Sequence, residues 1–541
     1  MTWVQAYDPL NNIWLSAVLA AIPIIFFFLA LTVFKIKGTV ASFLTVALSF
    51  LIAISIYNMP VHMATEAAGY GFAFSFWPIS YIVITAVYLY KLSVKSGQFT
   101  IIRTSISSIS NDARIQMLLV AFSFNAFLEG AAGFGAPIAI TAALLVGLGF
   151  KPLQAAGLCL IANTASGAFG AMGIPVIVAG QVSGIDPKII GQFLGTSLPL
   201  ISFTVPFLLL MILDGMKGIS QLWPAALVSG ASYAIAQYLT VTFIGPELPN
   251  ITSAIFSLVV LALFTKVWQP KEAMLLGAQQ ADKTEIPHLT GKMIAKAWSP
   301  FIALTLMVTI WSLQPFKRLF TEGGVLANTI LHIPMPNLHN LVLKAQPIVT
   351  EQTPYAAVLK LDLISATGTA ILLAAVLSII MLKIPIKAAL ETLRETMQEL
   401  AKPIFTIMMV LGFAFIANYS GQSSTLGLAL AATSDYFPFL SPVLGWIGVF
   451  LTGSVTSNNA LFGSLQQITA EQISVLPLIL VAANTSGGVM AKMLSPQSIA
   501  VASGAVGLVG QEAELFRFTL KYSMVFLLVT GIVTFGQTLF I

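Results

Sequence analysis

Of the 541 residues, 57% are apolar and only 8% are charged, against about 25% charged in an ordinary soluble domain. No water-soluble fold covers that much apolar surface, so the chain is read as membrane-embedded. The formal charge of +5 is thinly spread and gives no sign of a nucleic-acid partner, and the single cysteine, Cys159, excludes an intrachain disulfide or a cysteine metal cluster.

In chain order, apolar stretches at 13–34, 39–57, 190–213, 251–268, 361–382 and 518–541 come close to the roughly 20 residues that cross a bilayer as helix. The length rule predicts an all-α polytopic membrane protein of about 12 to 14 spans or half-spans. The first stretch has no basic residue before it and no convincing small-residue cleavage site, so it reads as a retained span. Lys35 and Lys37 follow it, Lys91, Lys95, Arg103 and Arg114 follow the third span, and the 266–296 and 383–402 connections carry lysines. By the positive-inside rule these segments face the cytoplasm and both termini lie outside. Residues 386–402 space their charges as an amphipathic interfacial helix does. A Pro-punctuated outer link over 315–360 separates an amino-terminal half, 1–314, from a carboxy-terminal half, 361–541.

Polar, Gly-rich interruptions stand where a membrane helix would carry Leu and Val. Phe127-Leu128-Glu129-Gly130-Ala131-Ala132-Gly133-Phe134-Gly135-Ala136-Pro137 has short apolar arms on both sides. It predicts a re-entrant hairpin over 115–150; a kinked helix packed through its glycines is the plain alternative. Ala162-Asn163-Thr164-Ala165-Ser166-Gly167 then leads through Met172 to Pro175, a break over 163–175. In the second half Ala483-Asn484-Thr485-Ser486-Gly487-Gly488 leads through Met493 to Pro496 in the same register, a break over 484–497. Paired breaks in two halves of an apolar chain point to a secondary transporter built from two structural repeats, with its site between them. The hairpin's counterpart has two candidate places. Phe450-Leu451-Thr452-Gly453 resembles Phe127-Leu128-Glu129-Gly130 and opens a polar run over 453–460. Ala417-Asn418-Tyr419-Ser420-Gly421 puts it instead over 403–435, with a break at 418–424.

An ionised carboxylate in the membrane interior costs about 2.5–3.5 kcal/mol even on insertion scales. Glu129 is therefore expected to be paired, hydrated or protonated, and burial suits it to exchange a proton with a transport cycle; a structural hydrogen bond is its other role. Lys492 can neutralise a substrate carboxylate, pair with Glu129, or snorkel from a helix end. Amides, hydroxyls and glycine backbone at helix breaks bind a small carboxylate and its hydroxyl. The candidate substrate contacts in the first half are Gly133, Gly135, Asn163, Thr164 and Ser166. Those in the second half are Thr456, Ser457, Asn458, Asn459, Asn484, Thr485, Ser486, Lys492, Ser495 and Gln497. No Ser/His/Asp, Cys/His or His-rich constellation stands at membrane depth, so neither an enzyme nor a metal or other cofactor is expected. A proton is the expected coupling ion, with sodium held by carbonyls and hydroxyls as the rival.

The 129–137 run, the Ala483-Asn484-Thr485 segment and Lys492-Met493-Leu494-Ser495-Pro496-Gln497-Ser498 resemble the bacterial L-lactate permease family. The likeness extends over nearly the whole chain, including the Asp214-Gly215 pair after a span. The resemblance implies uptake of L-lactate, often also of D-lactate or glycolate, with a proton across the bacterial cytoplasmic membrane. It also implies kinship with the larger ion-transporter superfamily, whose inverted repeats, hairpins and elevator-type movement match this reading. Many members of the family carry an acidic residue where this chain has Val455 and Ser where it has Asn458, which throws more of the coupling onto Glu129.

Overall fold

The computed structural model describes residues 2–133, 135–276, 289–321, 323–433 and 436–540. Helix dominates because a backbone in lipid has no hydrogen-bond partner but itself. Among the described residues nine helices are long and apolar enough to cross a bilayer, and the bent pair Pro152–Ala165 and Gly167–Ser183 adds a tenth. One of the nine, Leu198–Phe243, has 46 residues, about 70 Å of helix and over twice the thickness of a bilayer core. It doubles back at Gly215, where φ is 62° and ψ is −152°, a conformation that favours glycine. The carbonyl of Phe203 consequently packs on Gly230. Buried Arg114 ties this turn to the start of the first hairpin, bonding Asp214 at 2.9 Å, Gln221 at 2.6 Å and Asp112 at 2.8 Å.

The helices sort into two groups. Ile13–Thr32, Gly38–Ser55, Val61–Phe74, Tyr81–Lys95, Gly291–Ser312, Thr367–Leu382 and Ile386–Ser420 pack mainly on one another as a frame. The segments over 113–267, 422–431 and 437–540 form a second block, joined to the frame chiefly where Val455–Gln472 meets Ile386–Ser420 and Gln422–Ala431 meets Ile13–Thr32. The separate interfacial helix expected over 386–402 is instead the leading part of the continuous 35-residue helix Ile386–Ser420. No glycine interrupts it before Gly412, and Glu395 and Glu399 pair its projecting turns with Lys95 and Lys91.

The link over 315–360 is partly strand. Leu331–Pro334 pairs antiparallel with Val358–Leu361, and Val342–Lys344 pairs with Thr353–Pro354 and, in parallel, with Trp3–Val4. That last pairing puts the amino-terminal strand and the link on one face.

Two hairpins enter the second block. The first runs up through Ala113–Met117, Leu118–Phe124 and Asn125–Ala131, turns near Gly133 and Gly135, and returns as Ala136–Gly147. The second is Phe437–Thr452 and Val455–Gln472, turning at Gly453. Its base lies at the link, where Gln472 donates to the Pro347 carbonyl at 3.5 Å. Three crossings separate the amino-terminal strand from the base of the first hairpin, so the two enter from opposite faces. The Gly421 turn, the other candidate for a second tip, lies against Ala6 and Tyr7. There Gln5 donates to the carbonyls of Asn418 and Tyr419 at 2.9 and 2.8 Å.

Candidate functional site

The two hairpin tips and the two broken spans line one cavity of about 70 Å³. Hairpin one contributes Glu129, Gly133 and Gly135, and the first broken span contributes Gly167, Gly170, Ala171 and Pro175. Hairpin two contributes Gly453, Ser454, Val455 and Thr456, and the second broken span contributes Lys492, Gln497 and Ser498.

Each contributing segment begins a helix at the cavity. Ser454 caps Val455–Gln472 by accepting from the Ser457 N–H at 3.1 Å, and Ser495 caps Pro496–Val506 by accepting from Ser498 at 3.2 Å. Gly135, at φ 85°, starts Ala136–Gly147. In the first broken span Ala171, Met172 and Gly173 are all left-handed, with φ of 45°, 59° and 74°, before regular helix resumes at the level of Pro175. The two residues with side chains are strained there by about 1–2 kcal/mol each. Gly173 cannot be replaced at all without moving the Pro246 carbonyl, which fills the place of a Cβ. Four helix amino ends, each equivalent to about half a positive charge, thus surround lining residues whose formal charges are Glu129 and Lys492 alone. Those two cancel; helix carboxyl ends at Ala131, Ala162, Thr452 and Ala491 reach the same turns, so what the amino ends offer an anion is their free N–H groups rather than a net positive field.

Glu129 is 2% exposed. Lys492 Nζ donates to its Oε1, and Asn163 Nδ2 donates to its Oε2 at 3.0 Å. Gly170 leaves room for the carboxylate, since a Cβ there would stand 2.6 Å from Oε1. Asn250 Nδ2 donates to the Ser166 carbonyl at 2.6 Å and so holds the turn after Asn163.

The other expected contacts divide. Gly133, Gly135, Thr456, Lys492 and Gln497 line the cavity. Thr164 instead donates to the Ile161 carbonyl at 2.6 Å and Ser166 to that of Asn163 at 3.3 Å, inside the break. Ser457 is buried behind its cap, and Ser495 serves as a cap and donates to Ser498 at 2.8 Å. Asn458, Asn459 and Asn484 form a weld between helices: Asn484 donates to Asn459 Oδ1 at 2.9 Å, Asn458 to the Asn484 carbonyl at 3.2 Å, and Asn459 to the Pro175 carbonyl at 2.9 Å. Thr485 bonds back to Val481, and Ser486 lines a separate space of about 10 Å³ beside Thr530 and Thr534. The break expected from Asn484 onward starts at Lys492, because Pro477–Ala491 is an unbroken helix. The Asn484 amide is occupied by side chains on both ends and does not compete for backbone. Gly170, Ala171, Pro175 and Ser454 also line the cavity; they lie within the break over 163–175 and the polar run over 453–460 but are not among the individual contacts expected from the sequence.

A family model described as L-lactate permease matches residues 16–541. The chain belongs to the L-lactate permease family. It is 58% identical to an L-lactate permease of Escherichia coli K12, over 98% of this chain and 97% of that one. It is 56% identical to the glycolate permease GlcA of the same strain, over 99% and 98%, and 48% identical to an L-lactate permease of Bacillus subtilis, over 99% and 98%. Among solved structures, Neisseria gonorrhoeae MtrF, described within a class of antimetabolite efflux pumps, covers 88% of this chain and 82% of its own at 12% identity and a TM-score of 0.47. This L-lactate permease family member is a multi-pass membrane protein, and its cavity lies where the two hairpins meet the two broken spans.

Proposed function

We propose that this permease takes up L-lactate and related 2-hydroxy monocarboxylates, D-lactate and glycolate among them, with a proton across the bacterial cytoplasmic membrane, both termini lying outside. The observation that carries the reading is the Glu129–Lys492 pair at a cavity ringed by helix amino ends. A carboxylate entering the cavity competes with Glu129 for Lys492. While Glu129 is ionised, surrendering Lys492 leaves a buried anion unpaired beside a second anion, at a cost of several kcal/mol. A proton on Glu129 removes that charge and frees the ammonium for the substrate. Proton and anion therefore bind better together than apart, the linkage that symport needs. Thr456, Ser454 and Gln497, which line the same cavity, offer hydroxyl and amide groups to the substrate's hydroxyl. The block that carries the hairpins then moves against the frame, and release of the substrate and proton on the far side restores the ion pair.

The test is uptake of labelled L-lactate into proteoliposomes, with the proton gradient and sodium varied independently. Accumulation that follows the proton gradient and survives removal of sodium supports the reading. Accumulation only with sodium overturns the coupling role of Glu129, and none under either gradient overturns the substrate.

A further inference from the structure

Asn163 is 1% exposed, and its amide is engaged at one end only. Nδ2 donates to Glu129 Oε2 at 3.0 Å, whereas Oδ1 is buried and accepts from nothing among the described residues. A buried acceptor without a partner calls for an explanation. Nothing but the charge on Glu129 fixes the direction in which this amide points. Its counterpart Asn484, by contrast, is held from both ends, Nδ2 by Asn459 and Oδ1 by Gln466 at 3.4 Å.

We propose that Asn163 is a positioning residue that follows the protonation state of Glu129, donating to the carboxylate and turning its amide to accept from the carboxylic acid. The inference rests on the proton-coupled reading above. When Glu129 takes up a proton on Oε2, that oxygen becomes a donor and now faces another donor, Asn163 Nδ2. Turning the amide brings the unused Oδ1 to the acid proton. In either orientation one end of the amide is paired and the other free, so the turn costs no net hydrogen bond. Protonated Glu129 is thereby satisfied without Lys492, which is then available to the substrate anion. The other titratable groups facing Glu129 are Lys492 itself and Tyr233, whose buried hydroxyl is turned to Asn250 Oδ1 at 3.5 Å.

The test is infrared difference spectroscopy of the whole permease in liposomes between alkaline and acid pH. The carboxylic-acid C=O band that vanishes in Glu129→Gln belongs to Glu129. In Asn163→Leu, of similar size but without an acceptor, that band moves to higher wavenumber as the acid loses its hydrogen bond. Asn163→Val carries the same test if the leucine variant does not insert, with the melting temperature and a monodisperse gel-filtration profile of the purified protein as the check on folding. A Glu129 band that stays in place in these variants overturns the role of Asn163 and leaves proton coupling untouched. Absence from the wild-type spectra of any band sensitive to Glu129→Gln overturns the coupling role of Glu129 itself.

Discussion

The same tripeptide, Ala-Asn-Thr, stands within both broken spans, and the two copies do opposite things. Ala162-Asn163-Thr164 ends its helix, passes through two short 3-10 turns and bends the span by 70°. Ala483-Asn484-Thr485 sits in mid-helix, where every residue from Ile479 to Ala491 is buried. The difference lies in the neighbours rather than in the tripeptide. Around Asn484 stand Asn459 and Gln466, whose side chains occupy the amide and leave the backbone ladder alone. Around Asn163 stand a carboxylate and a glycine-rich stretch, Gly167 to Gly173, that tolerates left-handed backbone. One repeat supplies the buried carboxylate and an asparagine bonded at one end only; the other supplies asparagines bonded into a wall and, eight residues on from Asn484, the lysine.

Substitution on the first side breaks this comparison most severely. Glu129→Gln is expected to reduce proton-driven accumulation of lactate to the level set by diffusion alone while lactate exchange continues, measured with preloaded proteoliposomes. Retained accumulation would return Glu129 to the structural role. Lys492→Ala comes next: loss of a hydrogen bond to a charged group, about 1.5–3 kcal/mol, raises the KM for lactate roughly ten- to hundred-fold. It also strands a buried carboxylate, so Glu129→Gln combined with Lys492→Gln should melt higher than Lys492→Ala alone. A double variant that melts lower would mean that the stranded carboxylate is not charged, and one that melts below the wild type would mean that the pair contributes net stability.

The second side should answer in stability. Asn484→Ala removes the partner of both Asn459 and Gln466, a loss of about 1–2 kcal/mol at membrane depth, and leaves KM and proton coupling unchanged. Thermal melting in detergent beside transport kinetics separates the two readouts, and a large KM change would put Asn484 in contact with substrate.

Much of this arrangement could be read from the sequence because membrane physics leaves few choices. Charged residues at that depth are rare enough that Glu129 and Lys492 drew attention individually, and they lie in contact although 363 positions apart. The Gly-Pro clusters marked where helices stop. The asparagines were harder to judge. Whether a buried amide faces a cavity or welds two helices depends on which other amides the fold brings up to it, and Asn459 and Gln466 reach Asn484 from a different element. Local propensity was also silent on 386–402, where charges that suit an interfacial helix equally suit a helix that projects beyond the bilayer and pairs with Lys91 and Lys95.

The smallest expected effects make the finest comparison, because Ser454 and Ser495 perform the same local task in different surroundings. Each accepts a backbone N–H three residues on and starts a helix at the site, at 3.1 and 3.2 Å. Loss of either cap should cost about 1 kcal/mol, so Ser454→Ala and Ser495→Ala are expected to lower the melting temperature by similar amounts. Only Ser454 also lines the cavity, whereas Ser495 is fully buried behind it. Ser454→Ala should therefore raise the KM for lactate a few-fold, by loss of about one hydrogen bond worth roughly 0.5–1.5 kcal/mol, and Ser495→Ala should not. Equal KM values in the two variants would mean that the substrate hydroxyl does not bind Ser454 and is held instead by Gln497 or Thr456.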